Sequence, residues 1–285
     1  MGDFLAASEA GDCTDGAKRA PLLVDTHAHI DTDRFDEDRD DMLARAKAAG
    51  LAAIINMGDS MESSGRSVAM ARQYDMVYTG VGIHPEEARP MTQADDDLLA
   101  GWAREAKVVA IGEIGLDYYW DKEAEVQEKQ RYWFNRQMDL ARETNLPIII
   151  HSRDAAEDTM KVMKDAKAHE LKGVVHCYSY SKEIAQEFIK MGYYIGVGGV
   201  VTFKNARKLV ETVEAIPLDR ILLETDCPYM APEPNRGKRN DSSNIQYVIK
   251  KIAEIKGISE EEVEKVTEHN AYTLFKKIKN NDINL

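Results

Sequence analysis

Short apolar runs alternate with longer amphipathic, charged stretches along most of this chain. Eight of these runs predict strands, over residues 22–26, 52–57, 77–81, 108–112, 147–150, 173–175, 193–197 and 221–224. Several are wholly apolar rather than alternating, the pattern of parallel strands covered on both faces. The spacing of apolar positions predicts helices over 36–49, 60–74, 93–106, 123–143, 155–167, 181–191, 206–215 and 244–256, and a last one over 260–279. A strand–helix rhythm repeated eight times favours a closed (β/α)8 barrel over an open doubly wound sheet. The open sheet would place a glycine-rich loop after an early strand. The first strand here ends instead in Asp25-Thr26-His27-Ala28-His29. The length of 285 residues suits one such barrel, which takes about 250. No linker rich in proline, glycine or serine divides the chain. The expected class is therefore α/β, a single-domain TIM barrel over residues 21–280, with 1–20 a disordered leader and 281–285 a tail.

A barrel of this kind carries its chemistry at the C-terminal ends of its strands. His27 and His29 stand at the first predicted end, His84 at the third, Glu113 at the fourth, His151 at the fifth, His176 at the sixth and Asp226 at the eighth. Five of the seven histidines occupy this one face, and only His169 and His269 lie elsewhere. In a strand, residues two apart point the same way, so His27 and His29 present two imidazoles to one point. Imidazole and carboxylate donors together suit divalent ions such as zinc and manganese. The set divides in two. His27, His29, Glu113 and Asp226 would hold one ion, and His151 and His176 with Glu113 a second. Glu113 would bridge, because a carboxylate offers two oxygens and an imidazole ring cannot span two ions. Asp226 is then the expected proton acceptor from water shared by the ions. His84 is expected to contact a ligand or a substrate oxygen rather than an ion. Asp25 is expected to orient a histidine or cap, and Glu224 to support the eighth strand end. His169 is expected to face solvent and His269 to pack or cap on the last helix.

Composition narrows the classes further. Hydrophobic residues make up 44% and charged residues 31%, which gives a soluble globular chain with material for a large core. No apolar run approaches the roughly 20 residues that span a bilayer. Residues 1–20 lack the basic and then apolar regions of a secretory signal. Cys13, Cys177 and Cys227 are odd in number and match no zinc or redox spacing, so a reducing cytoplasm is expected. Cys177 and Cys227 each follow a candidate ligand and are expected to face away from it, because neighbours in a strand point to opposite sides. The net charge of −13 argues against holding long nucleic acid through a global field, but it permits a local basic patch. Arg236-Gly237-Lys238-Arg239 is one such patch, ten residues beyond Asp226. With Arg153 and Lys204 it would form a phosphate path, or else it would pair with nearby acids such as Glu86, Glu87 and Asp241. Tyr118, Tyr119 and Trp120 would either stack on an unpaired base or cover the barrel rim.

The chain from about residue 22 to 278 resembles the TatD-type metal-dependent DNases of the amidohydrolase-like barrel superfamily. The resemblance rests on Asp25-Thr26-His27-Ala28-His29-Ile30-Asp31, Gly82-Ile83-His84-Pro85, Gly112-Glu113-Ile114-Gly115-Leu116-Asp117-Tyr118, His151-Ser152-Arg153, His176-Cys177-Tyr178-Ser179, Glu224-Thr225-Asp226-Cys227-Pro228-Tyr229, Arg236-Gly237-Lys238-Arg239-Asn240 and Asn270-Ala271-Tyr272-Thr273-Leu274-Phe275. Cys227 stands where that family commonly has serine or alanine, and the first twenty residues lie outside its pattern. The resemblance implies metal ligands His27, His29, Glu113, His151, His176 and Asp226, with Asp226, Glu113 and His84 in the chemistry. It implies two divalent ions (Mg²⁺, Mn²⁺ or Zn²⁺) and 3′-5′ exonuclease or DNase action. The expected partner is nucleic acid, held as single-stranded DNA ends by Arg153, Tyr118, Arg236, Lys238 and Arg239. A monomer in the cytoplasm, free of membrane, completes the expectation. The alternative is an amide or ester hydrolase, such as one that deacylates aminoacyl-tRNA. A scaffold barrel without turnover is disfavoured, because structural metal sites close their coordination whereas this one faces a barrel mouth.

Overall fold

A computed structural model describes residues 22–88 and 90–279. The expected leader, the tail and Cys13 lie outside the described residues. Eight strands form one sheet: β1 (Leu23–Ala28), β2 (Leu51–Met57), β3 (Val77–Val81), β4 (Val108–Asp117), β5 (Ile148–Arg153), β6 (Gly173–Val175), β7 (Tyr194–Val197) and β8 (Ile221–Leu223). Each pairs in parallel with the next, in chain order from β1 to β8. The helices are α1 (Arg39–Ala48), α2 (Met61–Gln73), α3 (Gln93–Trp102), α4 (Ala124–Thr144), α5 (Ala156–Asp165), α6 (Lys182–Lys190), α7 (Arg207–Ala215), α8 (Ile245–Lys256) and α9 (Glu260–Leu274). This is the expected (β/α)8 barrel in a single domain. No helix among the described residues is long and apolar enough to cross a membrane.

Local chemistry accounts for the element boundaries. Ser60 and Thr92 each close a reciprocal capping box at the start of α2 and α3, and the Ser259 hydroxyl accepts from the Glu262 amide at the start of α9. Gly257 ends α8 in the left-handed region at φ 66°, which costs glycine little. Several boundaries differ from expectation: α3 and α9 end early, at Trp102 and Leu274, and β5 runs on to Arg153. The first helix begins at Arg39, after a separate short turn of helix over Asp33–Phe35. β4 continues five residues beyond Gly112, to Asp117. Its apolar run is interrupted by Glu113, so the pattern stops short of the true end.

Two cores position the site. The outer core lies between sheet and helices, with Phe134, Met138 and Phe188 among its buried members. The inner core fills the barrel with Val24, Ile55, Met57, Tyr78, Ile149, Val174 and Leu222. Ala271, Leu274, Phe275 and Ile278 join that inner core from α9 and the residues after it. Asn270 donates to the carbonyls of Leu218 and Ile221, and Lys277 to that of Val108, at the N-terminal ends of β8 and β4. α9 and the residues after it, to Ile278, thus plug the barrel floor. Only the opposite end, where the strands point, remains open.

The seam between β8 and β1 is made just past β8. The Thr26 hydroxyl donates to the Leu223 carbonyl at 3.0 Å, the Asp226 amide to the His27 carbonyl at 2.9 Å, and the His29 amide to the Cys227 carbonyl at 2.7 Å. The residues that close the barrel are therefore the same ones that carry the first histidine pair.

Candidate metal centre

Four donor atoms gather at the seam. The Nε2 atoms of His27 and His29 are 3.2 Å apart. Glu113 Oε2 is 3.3 Å from the first and 3.7 Å from the second. Asp226 Oδ1 is 3.8 Å and 3.6 Å from the same two nitrogens. Donors held at about 2.1 Å around one ion in a tetrahedral array stand roughly 3.4 Å apart, so the spacing fits a divalent ion. The pairing of β1 with β2 shifts register between Asp25 and Ala28, and this is the stretch that carries His27. Asp226 adopts a left-handed backbone at φ 56°. With its amide tied to His27, this sets the Asp226 carboxylate beside the pair.

The other oxygen of Glu113 serves a second group. Oε1 is 2.6 Å from His176 Nε2 and 2.8 Å from His151 Nδ1, and those two nitrogens are 3.3 Å apart. Glu113 itself lies where β4 slips register against β5, between Ile111 and Ile114. Such an irregularity re-aims a side chain. The Glu113 carboxylate thus contacts both histidine pairs, and His27 and His176 stack between them at 3.9 Å.

Electrostatics act differently on the two sets. Burial pushes His27 well below the ordinary histidine range, helped by the nearby positive charge of His176, so its imidazole is neutral. Neutral imidazole is the form that binds metal. Burial alone would raise Glu113. Interaction with His176 and His27 and the hydrogen bonds from His151 and His176 outweigh it and hold the carboxyl well below its usual range. Burial would lower His176, but Glu113 prevails and lifts it to about 9. Burial raises Asp226, with His29 and His176 opposing.

His84 stands beside the second set, with Nε2 3.6 Å from Glu113 Oε1. Its Nδ1 accepts the Glu86 amide at 3.3 Å. That bond puts the ring proton on Nε2, facing the site. Burial pushes its pKa down to about 3, so it remains a neutral donor.

Asp117 is the functional residue that sequence reasoning missed. Its Oδ2 is 3.0 Å from His151 Nε2, and its Oδ1 accepts the amides of Tyr119 at 2.9 Å and Trp120 at 3.1 Å. An imidazole that donates Nε2–H to a carboxylate keeps Nδ1 for an ion. The signal was present in the sequence. Asp117 follows Glu113 by four residues, an even step along β4 that returns to the same side. Asp117→Asn is expected to weaken binding of Mn²⁺ by about 10–100-fold, the usual effect of losing a ligand's carboxylate partner. Calorimetric titration measures this, and unchanged affinity would limit Asp117 to holding its loop.

Several expectations are corrected. Asp25 holds His27 through its backbone and not through its ring: the buried carboxylate accepts the His27 amide at 3.3 Å, together with the Thr225 hydroxyl at 2.6 Å and the Thr225 amide at 3.0 Å, tying the seam. Cys177 lines the cavity rather than facing away. Its φ of 43° breaks the strand geometry directly after β6, so alternation no longer applies. Cys227 is buried away from the site as expected, with Sγ 3.7 Å from the Ser242 hydroxyl. Glu224 supports its strand end, accepting the Cys177 amide at 2.6 Å.

A cavity of about 940 Å³ opens over the donors, and Arg153, Arg236 and Trp120 line it with them. Tyr118 does not reach it, because its hydroxyl is held between Asp158 and Arg131, each at 2.8 Å. Arg239 turns back to Asp38, with bonds of 2.8 and 2.6 Å, and covers Phe35. Lys238 is exposed and outside the cavity lining. Of the expected substrate-binding residues, the structure brings Arg153 and Arg236 to the mouth and leaves Tyr118, Lys238 and Arg239 outside it.

Fold and donor set define the class, a (β/α)8 barrel with a candidate divalent-metal centre at its open end. The model of the TatD related DNase family matches residues 24–276, and the chain belongs to that family. It is 44% identical over 255 residues to the uncharacterized metal-dependent hydrolase YabD of Bacillus subtilis, covering 90% of this chain and 99% of that protein. It is 35% identical over 262 residues to the 3′-5′ ssDNA/RNA exonuclease TatD of Cronobacter sakazakii, covering 90% and 98%. The solved structure of YjjV, a TatD homologue from Escherichia coli K12, superposes with a TM-score of 0.85 at 33% identity, covering 90% and 99%.

Proposed function

We propose that this protein is a divalent-metal-dependent hydrolase of phosphodiester bonds in nucleic acid, acting at single-stranded 3′ ends. The observation that carries the hydrolytic reading is Glu113, whose two oxygens face two separate donor sets. A pair of divalent ions (Mg²⁺, Mn²⁺ or Zn²⁺) held there would lower the pKa of water and neutralise phosphate charge. His27, His29 and Asp226 would hold one with Glu113, and His151 and His176 the other.

The chain's own groups do the rest. Asp226, its pKa raised by burial, accepts the proton of the attacking water. His84 Nε2–H is placed to donate to a phosphate oxygen. Arg153 and Arg236 bind flanking phosphates at the rim. Neither has a carboxylate partner among the described residues, so both guanidiniums remain available for the bidentate contacts arginine makes with phosphate. The relative named as a single-strand exonuclease supports the same substrate.

The test incubates Mn²⁺-reconstituted protein with labelled single-stranded DNA and, separately, with an aminoacyl-RNA ester. Mononucleotides released from the 3′ end are expected. Deacylation of the ester with intact DNA would overturn the phosphodiester reading.

A further inference from the structure

The residues after β4 form a feature that the metal centre does not use. Trp120 is 61% exposed and Tyr119 43% exposed, although both are large and apolar. Their rings meet edge to face at 4.6 Å. The Arg153 guanidinium, from the end of β5, lies 4.0 Å from the Tyr119 ring centre and 5.6 Å from that of Trp120. Trp120 and Arg153 both line the cavity. The loop is anchored, because the Tyr119 and Trp120 amides both bond Asp117 Oδ1. The other oxygen of that carboxylate holds His151. One side chain therefore fixes the aromatic platform relative to the donor cluster.

We propose that Trp120 and Arg153 form a nucleotide subsite, with Trp120 stacking on one unpaired base and Arg153 gripping the adjoining phosphate. This rests on the phosphodiester reading above and assigns its base-binding residue. An indole face left open at a cavity rim suits a nucleobase, which offers a flat π-surface whatever its sequence. A cation stacked on the same aromatic pair sits where a phosphate linked to that base can reach it. Across the mouth, Arg236 covers Phe203 at 4.3 Å and lines the same cavity. A strand laid over the cavity would meet both cations and the donor cluster, which line it together. The platform reads base stacking rather than base edges, so the subsite tolerates any sequence but needs an unpaired base.

The experiment measures binding by the metal-loaded protein of labelled phosphorothioate octamers, which resist cleavage. One octamer is thymidine and the other is abasic throughout. The native protein is expected to bind the thymidine octamer more tightly. Trp120→Ala should weaken thymidine binding by about 5–150-fold, the range that corresponds to stacking one base, and leave abasic binding as it was. Trp120→Phe should retain most of the affinity. Tyr132→Ala, an exposed aromatic on α4 outside the cavity, should change nothing. Equal weakening toward both octamers, or none, would overturn the stacking assignment. Native protein that binds neither octamer would overturn the nucleic-acid reading itself, a different outcome from loss of the base preference alone.

Discussion

Glu113→Ala is expected to reduce hydrolysis by on the order of 10³ or more, above the 10–100-fold typical of removing a ligand's outer partner. Glu113 is the only residue among those described whose oxygens reach both donor groups, so its loss separates them. Four imidazoles would then face one another with carboxylates only at their edges, Asp226 beside His27 and His29 and Asp117 on His151. The barrel survives because the cost falls on protonation rather than on packing. His176 holds its extra proton through Glu113, and without it burial favours the neutral ring. Glu113→Gln keeps the side-chain volume and is expected to lose activity in the same way. Steady-state rates and far-ultraviolet circular dichroism, taken together, check both halves. A folded Glu113→Ala protein with native turnover would refute the bridging role.

Asp226→Asn is expected to lower kcat by about 10²–10⁴-fold, the usual contribution of general-base catalysis, with KM little changed. The asparagine retains an oxygen for the seam-side ion but cannot take a proton. The Asp226 side chain is mostly buried yet lines the cavity, so the carboxylate is placed to meet both a bound ion and water. Its backbone amide and that of Cys227 stay in the seam, and the fold does not depend on the charge. Metal content should remain at the native level while turnover falls. If metal is lost in proportion to rate, Asp226 is a ligand alone and the proton goes elsewhere.

Much of this was legible in the sequence for one physical reason. Parallel barrel strands are apolar throughout, so a histidine or carboxylate at the end of such a run stands out. His27, His29, Glu113, His151, His176 and Asp226 all announced themselves in this way, and the structure brings their donor atoms together. Features set by the backbone beyond the strands were not legible. Alternation fails at Cys177 because its φ is positive, and no side-chain pattern records that. Asp117 was hidden because β4 runs on past Glu113, which interrupts its apolar signature. The rim was harder still. Tyr118 and Trp120 are two residues apart in one loop, yet Tyr118 bonds Asp158 while Trp120 opens to the cavity. Arg236 and Arg239 differ in the same way, because Asp38 captures one and not the other. Such choices depend on partners distant in sequence.

The proposed role of Glu113 is to join two ions at the barrel mouth. The most direct measurement counts metal per chain by mass spectrometry of protein dialysed against excess Mn²⁺ or Zn²⁺ and then gel-filtered. The native protein should retain two ions per chain and Glu113→Ala at most one. A fully active native protein that retains a single ion would rule out bridging by Glu113.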